Sequence, residues 1–321
     1  MRKTIVYMFS GQGSQYVQMG RELYIRQPLF RDCMTRMDAV VQEICGVSVV
    51  DKLYGAEASQ EGFVQTLYTH PAIVMVEYAA AQVLQESGLD PDFVLGSSLG
   101  EFTAAAVSGI SSIDEVLEAV IKQAGILEHR CPEGGMLAIL HDPRIFGEAP
   151  QLHQYCELAA VNSSSHFVVS SESEKLAKAE RFLEQQGILY QRLPVRFGYH
   201  SAAVDHAAAE YQDYLRGRFT RIPTRPIVSC VYGKLMGTPL QEGYLWKAVR
   251  EPIKFAEALG DTQQKLGTGV VYVDLGPGGT LANVAKRILS GRSNEEIYAV
   301  ITPFNREIEN LEKIKGSVIS G

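Results

Sequence analysis

Apolar positions along the 321-residue chain fall into two rhythms, short β-branched runs ending in Gly/Ser-rich turns and longer Ala- or Leu-rich stretches. Thr4 to Phe9 predicts a strand that runs into Ser10-Gly11-Gln12-Gly13-Ser14-Gln15, with a helix from about Tyr16 to Tyr24. Pro71 to Gln85 predicts a helix, with Pro at its start, an Ala-rich middle and Gly88 just beyond its end. Pro91 to Leu95 is a short strand leading into Gly96-Ser97-Ser98-Leu99-Gly100, and Glu101 to Val107 reads as helix. Further on, Ile227 to Val231 and Val270 to Leu275 are strands. The second turns through Gly276-Pro277-Gly278-Gly279 into a helix from Thr280 to about Leu289. Strand–loop–helix units of this kind imply an α/β fold with a parallel sheet covered by helices.

The middle of the chain changes rhythm. Met136 to Leu140 predicts a strand and Ile145 to Tyr155 a weak helix. Leu158 to Val161 and His166 to Ser170 predict two strands across the turn at Asn162. A capping box of Ser171 and Glu174 would open a helix to about Gln186, with Gly187 ending it, and Ile188 to Val195 would be a last strand. The order β-α-β-β-α-β is that of a ferredoxin-like unit. The expected organisation is a large α/β subdomain of residues 1–132 and 198–321, with a small ferredoxin-like subdomain of residues 133–197 inserted into it.

Composition narrows the function. The chain has 30 Lys+Arg against 37 Asp+Glu, a net charge of −7 with no basic stripe, which argues against nucleic acid as a partner. The apolar run from Ile5 to Phe9 is too short for a secretory signal, and no stretch is long enough to span a membrane. The five cysteines are scattered with no C-x-x-C pair, so neither a disulfide framework nor a metal site is indicated. A cytoplasmic location is the expectation.

Gly96-Ser97-Ser98-Leu99-Gly100 is a G-x-S-x-G pentapeptide between a strand and a helix, the setting of a nucleophile elbow. Such a turn lifts Ser98 Oγ above the sheet, at a helix N-terminus where N–H groups face a developing oxyanion. A serine nucleophile needs a base. Of the seven histidines, His200 stands out in Phe197-Gly198-Tyr199-His200-Ser201, where small residues leave room for an imidazole. Gly11-Gln12-Gly13 lacks both the third Gly of a dinucleotide fingerprint and the Gly-Lys of a P-loop. It reads instead as a turn presenting N–H groups at the end of the first strand.

Together these motifs resemble the malonyl-CoA:acyl carrier protein transacylase family over essentially the whole chain. The resemblance rests on Phe9 to Gln15, Thr69-His70-Pro71-Ala72, Gly96 to Glu101, Pro132 to Met136, Val161-Asn162, His200-Ser201 and Asp274 to Leu281. It implies an α/β-hydrolase-like core with an inserted ferredoxin-like subdomain. It also implies Ser98 as nucleophile, His200 as general base and the backbone N–H groups of Gln12 and Leu99 as oxyanion hole. In that family a backbone carbonyl orients the histidine. The matching segment, Glu251-Pro252-Ile253-Lys254-Phe255, suggests the carbonyl of Lys254. Ser97, Asn162, Tyr199 and His70 would contact substrate. No cofactor is implied, since phosphopantetheine is carried by the partner.

Two departures point to a branch. The family's elbow usually reads Gly-His-Ser, whereas position 97 is Ser, and Gln123 stands where the family carries the Arg that grips the malonyl carboxylate. A neutral amide would leave a buried carboxylate unpaired at a cost of roughly several kcal/mol. The pair resembles the stand-alone acyl hydrolases of trans-acyltransferase polyketide synthases. These remove stalled acyl groups from carrier-protein domains. The resemblance therefore implies a thioesterase acting on acyl carrier protein, and the alternative is an acyltransferase loading malonyl or a neutral acyl group from CoA.

Overall fold

The computed structural model describes residues 2–60, 63–236, 240–290 and 294–319. Two sheets organise it. The strands are β1 (Ile5–Phe9), β2 (Phe93–Gly96), β3 (Gly134–Ile139), β4 (Glu157–Ser163), β5 (His166–Glu172), β6 (Tyr190–Arg192), β7 (Ile227–Ser229), β8 (Lys234–Met236), β9 (Val271–Asp274) and β10 (Glu296–Ala299). The large sheet runs β10-β9-β1-β2-β7-β8 and the small one β4-β5-β3-β6. The large sheet is parallel except for β8, which pairs antiparallel with β7. The small sheet is antiparallel throughout. Its strand order, second-third-first-fourth, is the ferredoxin-like order.

β1 lies in the middle of the large sheet and all five of its residues are buried, as a parallel strand with both faces covered requires. Ile5, Tyr7 and Phe9 pack into one apolar layer with the helix Thr66–Glu86, through Ala72, Ile73 and Val76. Val6 and Met8 pack on the opposite face against the helices Phe255–Leu266 and Thr280–Ile288. The small sheet has a layer of its own, in which Leu137, Ile139, Phe167 and Val169 meet Leu176, Ala179 and Leu183 of the helix Ser173–Gln185. In open parallel sheets ligands bind beyond the carboxyl ends of the strands. β1 and β2 end there side by side, with Phe9 paired to Gly96.

Several local expectations are corrected. The helix expected from Tyr16 begins only at Arg21, because Gln18 and Gly20 take left-handed backbone angles of 69° and 71° that interrupt a helix. Pro71 lies inside the helix Thr66–Glu86 rather than at its start. Tertiary bonds hold the preceding turn: Thr66 Oγ1 donates to Glu128 (2.7 Å), Thr69 Oγ1 accepts from Gln12 (2.7 Å) and His70 Nε2 meets Tyr199 OH (3.0 Å). Ser171 belongs to β5 and donates to the carbonyl of Tyr155, so it forms no capping box with Glu174. A capping box does form between Ser112 and Glu115, opening the helix Ile113–Arg130. The strand expected over Ile188 to Val195 shrinks to the three residues of β6.

Candidate active site

The turn between β2 and the helix Gly100–Val107 carries Ser98, whose φ of 57° is left-handed. The glycines on either side make this turn possible. A Cβ on Gly96 would overlap the backbone of Glu101, and one on Gly100 would overlap the carbonyl of Phe9. Ser97 N donates to Phe9 O (2.9 Å), which continues the β1–β2 ladder into the turn. The loop after β1 then lies against the elbow. A Cβ at Gly11 would sit 2.7 Å from Ser98 Cβ and 3.2 Å from Leu99 N, so only glycine permits this approach. Leu99 N thus lies close to the Gly11 backbone.

Ser98 Oγ lies 2.8 Å from His200 Nε2, and His200 Nδ1 lies 2.7 Å from the carbonyl oxygen of Glu251. A carbonyl can only accept, so Nδ1 carries the proton and Nε2 offers its lone pair to the Ser98 hydroxyl. His200 is buried and its own N–H donates to Val249 O (2.9 Å). Burial pushes the imidazole down to about 4; the Glu251 carbonyl opposes that shift and the Arg250 guanidinium adds to it. The ring is therefore neutral over the physiological range, as a general base requires.

The orienting carbonyl is that of Glu251, not Lys254. Lys254 O is taken by Ala258 N (3.0 Å), because Lys254 caps the helix Phe255–Leu266. Pro252 has no N–H to offer, and the chain leaves the helix Tyr244–Arg250 at Glu251 in an extended conformation that turns its carbonyl toward His200.

These residues open into a cavity of about 150 Å³ between the two sheets. Its walls include Gln12, Ser97, Ser98, Asn162, Tyr199 and His200 from the expected set, with Met136, Val168, Leu193, Ile253, Leu281 and Val284 as the apolar part. No lysine or arginine is among the described residues lining it. His70 is buried behind Tyr199, with Nε2 against the phenol oxygen. Gln123 is buried on the helix Ile113–Arg130, outside the cavity lining, with its amide against the Tyr211 hydroxyl. The Gln12 side chain is tied through Nε2 to Thr69 Oγ1.

Buried carboxyl groups brace the loops around the dyad. Glu77 accepts from Ser10 N (2.6 Å), Ser10 Oγ (3.1 Å) and Thr103 Oγ1 (2.7 Å), joining the loop after β1 to the elbow helix. Asp274 accepts from Gly276 N (2.9 Å) and Ala282 N (2.8 Å). Glu101 accepts from Cys230 N (2.9 Å) and pairs with Tyr244 OH (2.7 Å). Sequence reasoning passed over these residues as site components. The one signal for Glu77 was a carboxylate in the most apolar stretch of the chain, where an acid survives only with dedicated donors.

Known proteins share this fold. Residues 6–318 match the acyl transferase domain family. The chain is 43% identical to the polyketide biosynthesis acyltransferase homolog BaeD of Bacillus velezensis, covering all of this chain and 98% of that protein. It is 41% identical to the homolog PksD of Bacillus subtilis, over 98% and 97% of the two chains. Among solved structures, the acyl transferase domain of SpnD in complex with 2-(pent-4-yn-1-yl)malonyl superposes with a TM-score of 0.88 at 26% identity, covering all of this chain and 78% of that one. The two-sheet frame thus has its counterpart in a known fold, and this chain belongs to the acyl transferase domain family.

Proposed function

We propose that this chain is a serine-dependent thioesterase that removes stalled acyl groups from the carrier-protein domains of a trans-acyltransferase polyketide synthase. Membership of the acyl transferase family and the likeness to polyketide biosynthesis proteins support an acyl-transfer chemistry in polyketide assembly. The observation that carries the finer reading is the cavity wall. A carboxylated acyl unit brought to Ser98 would meet no lysine or arginine among the described lining residues, whereas a neutral acyl chain would meet Met136, Val168 and Leu281.

The chemistry follows from the dyad. Ser98 Oγ attacks the thioester carbonyl as its proton passes to His200 Nε2. The N–H groups of Gln12 and Leu99 hold the oxyanion. The tetrahedral adduct collapses, expelling the phosphopantetheine sulfur, which takes the proton from Nε2, and acyl-Ser98 remains. Water then attacks the ester, gives its proton to Nε2 and releases the free acid as Ser98 recovers its hydrogen. The Glu251 carbonyl steadies the imidazolium in both halves. Phosphopantetheine belongs to the partner, and the reaction calls for no resident cofactor.

Loading of malonyl or a neutral acyl group from CoA onto a carrier-protein thiol is the alternative, favoured by the structural likeness to an acyl transferase domain. Intact-protein mass spectrometry separates the two. The enzyme is incubated with acetyl-loaded carrier protein in one tube, and with free carrier protein and malonyl-CoA in another. Loss of acetyl in the first and no loading in the second is the expected result. Stable acetyl-carrier in the first with loading in the second would make the chain a transferase.

A further inference from the structure

Arg250 sits between the two residues that hold the histidine. Val249 O accepts the His200 backbone N–H (2.9 Å), and Glu251 O accepts the Nδ1 proton (2.7 Å). Arg250 is the last residue of its helix, and its side chain does not simply extend into solvent. Nε donates to Asp205 Oδ1 (2.7 Å) and Nη1 to Glu157 Oε2 (3.0 Å).

Both partners lead back to the same histidine. Asp205 lies in the 3-10 turn Ala202–Ala207 that follows His200, and Glu157 opens β4 of the small sheet. The second oxygen of Glu157 accepts from Ala202 N (2.6 Å), two residues past His200. A further bond, from Ile253 N to Ala159 O (2.8 Å), ties the same segment to β4. The guanidinium therefore closes a ring through the end of its helix, the turn after His200 and the edge of the small sheet.

We propose that Arg250 is a positioning residue for His200, fixing through Glu157 and Asp205 the segment whose two carbonyls hold the imidazole against Ser98. The inference rests on Ser98 and His200 acting as nucleophile and base. An exposed ion pair by itself contributes little. What this one supplies is geometric. A guanidinium fork bonded in two directions locks a backbone segment more tightly than a point charge can, and a displacement of about 1 Å in a catalytic group can cost about 100-fold in rate. A cation at a helix C-terminus also complements the helix dipole. That effect changes stability alone, so turnover at Ser98 tells the two roles apart.

The test uses the full chain and a fluorophosphonate, which labels a serine only when its base is in place. The maximal rate of labelling and the half-saturating concentration are measured for wild type, Arg250→Gln, Arg250→Lys and Glu157→Gln, with Ser98→Ala to fix the labelled site and the melting temperature of each variant recorded. Arg250→Gln is expected to lower the maximal rate about 10- to 100-fold with the half-saturating concentration within about twofold. Arg250→Lys should recover part of the loss. Glu157→Gln, which leaves the Asp205 bond intact, should show a smaller loss in the same parameter, and it decides the matter if Arg250→Gln does not fold. Maximal rates within about twofold of wild type, or a change confined to the half-saturating concentration, would overturn the inference. Absence of labelling at Ser98 in the wild type would instead overturn the dyad on which it rests.

Discussion

Ser98 and His200, 102 residues apart in the chain, are both held in left-handed backbone conformations, with φ of 57° and 61°, and their side chains meet at 2.8 Å. Neither is a glycine, so each conformation carries a steric cost of about 1–2 kcal/mol that the surrounding fold must sustain. Backbone strain thus falls on the proposed nucleophile and its proposed base. The first prediction follows. Ser98→Gly should abolish thioester cleavage while raising stability by about 1 kcal/mol, read as a higher urea midpoint with an unchanged slope. A lower midpoint would mean that the elbow is unstrained.

The pH dependence of the reaction reports the base. Burial lowers the His200 pKa from 6.5 to about 4. Only the neutral imidazole can take the serine proton, so kcat/KM should hold level as pH falls through 6.5 and decline only near 4. A profile that already halves at pH 6.5 would place the imidazole in water. The same depression works on folding: stability from a neutral His200 is present above pH 6.5 and is lost as pH falls toward 4.

Glu101 acts in the opposite sense. Burial raises its pKa from 4.5 to about 8, so the folded chain holds a proton there that the unfolded chain releases. Stability from this group is fully present below about pH 4.5 and is lost as pH rises through 8. The protonated acid can donate to Tyr244, whose hydroxyl passes the bond on to Ser229 Oγ (2.8 Å). Glu101→Gln should therefore flatten the fall in melting temperature between pH 6 and 9. An unaltered slope would assign that fall to other groups.

The elbow depends on the absence of two side-chain carbons. Gly100→Ala would drive a methyl group into the Phe9 carbonyl, which cannot move without disturbing β1. We expect a loss of about 2–3 kcal/mol in chemical denaturation, together with slower labelling of Ser98. A variant as stable and as fast as wild type would show that β1 and the elbow are not in close contact.

What the sequence disclosed and what it withheld follow from the range of the interactions. The elbow was legible because its requirements are local: a strand, a sharp turn that tolerates only glycine at its flanks, then a helix. Gln12 and His200 could be placed by their neighbours in motifs of a few residues. The Pro71 helix boundary was misjudged because its first turn is held by Glu128, Gln12 and Tyr199, all distant in sequence. The capping pattern at Ser171 was overridden in the same way, by pairing of that residue into β5. The orienting carbonyl was assigned three residues late. Any residue from 251 to 254 supplies the same C=O, so side-chain identity carries no information about which one turns inward.

Ser98 and His200 are exposed to selection through their side chains, whereas the third partner is a peptide oxygen that every amino acid possesses. The Glu251 side chain itself faces solvent. Its charge is thus free to be set by whatever approaches the surface, while its carbonyl stays committed to the histidine inside. One position serves two masters without conflict, and a comparison of residue types at 251 reads only the outward one. The inward role is inherited with the path of the chain, through the helix end at Arg250 and the proline after it.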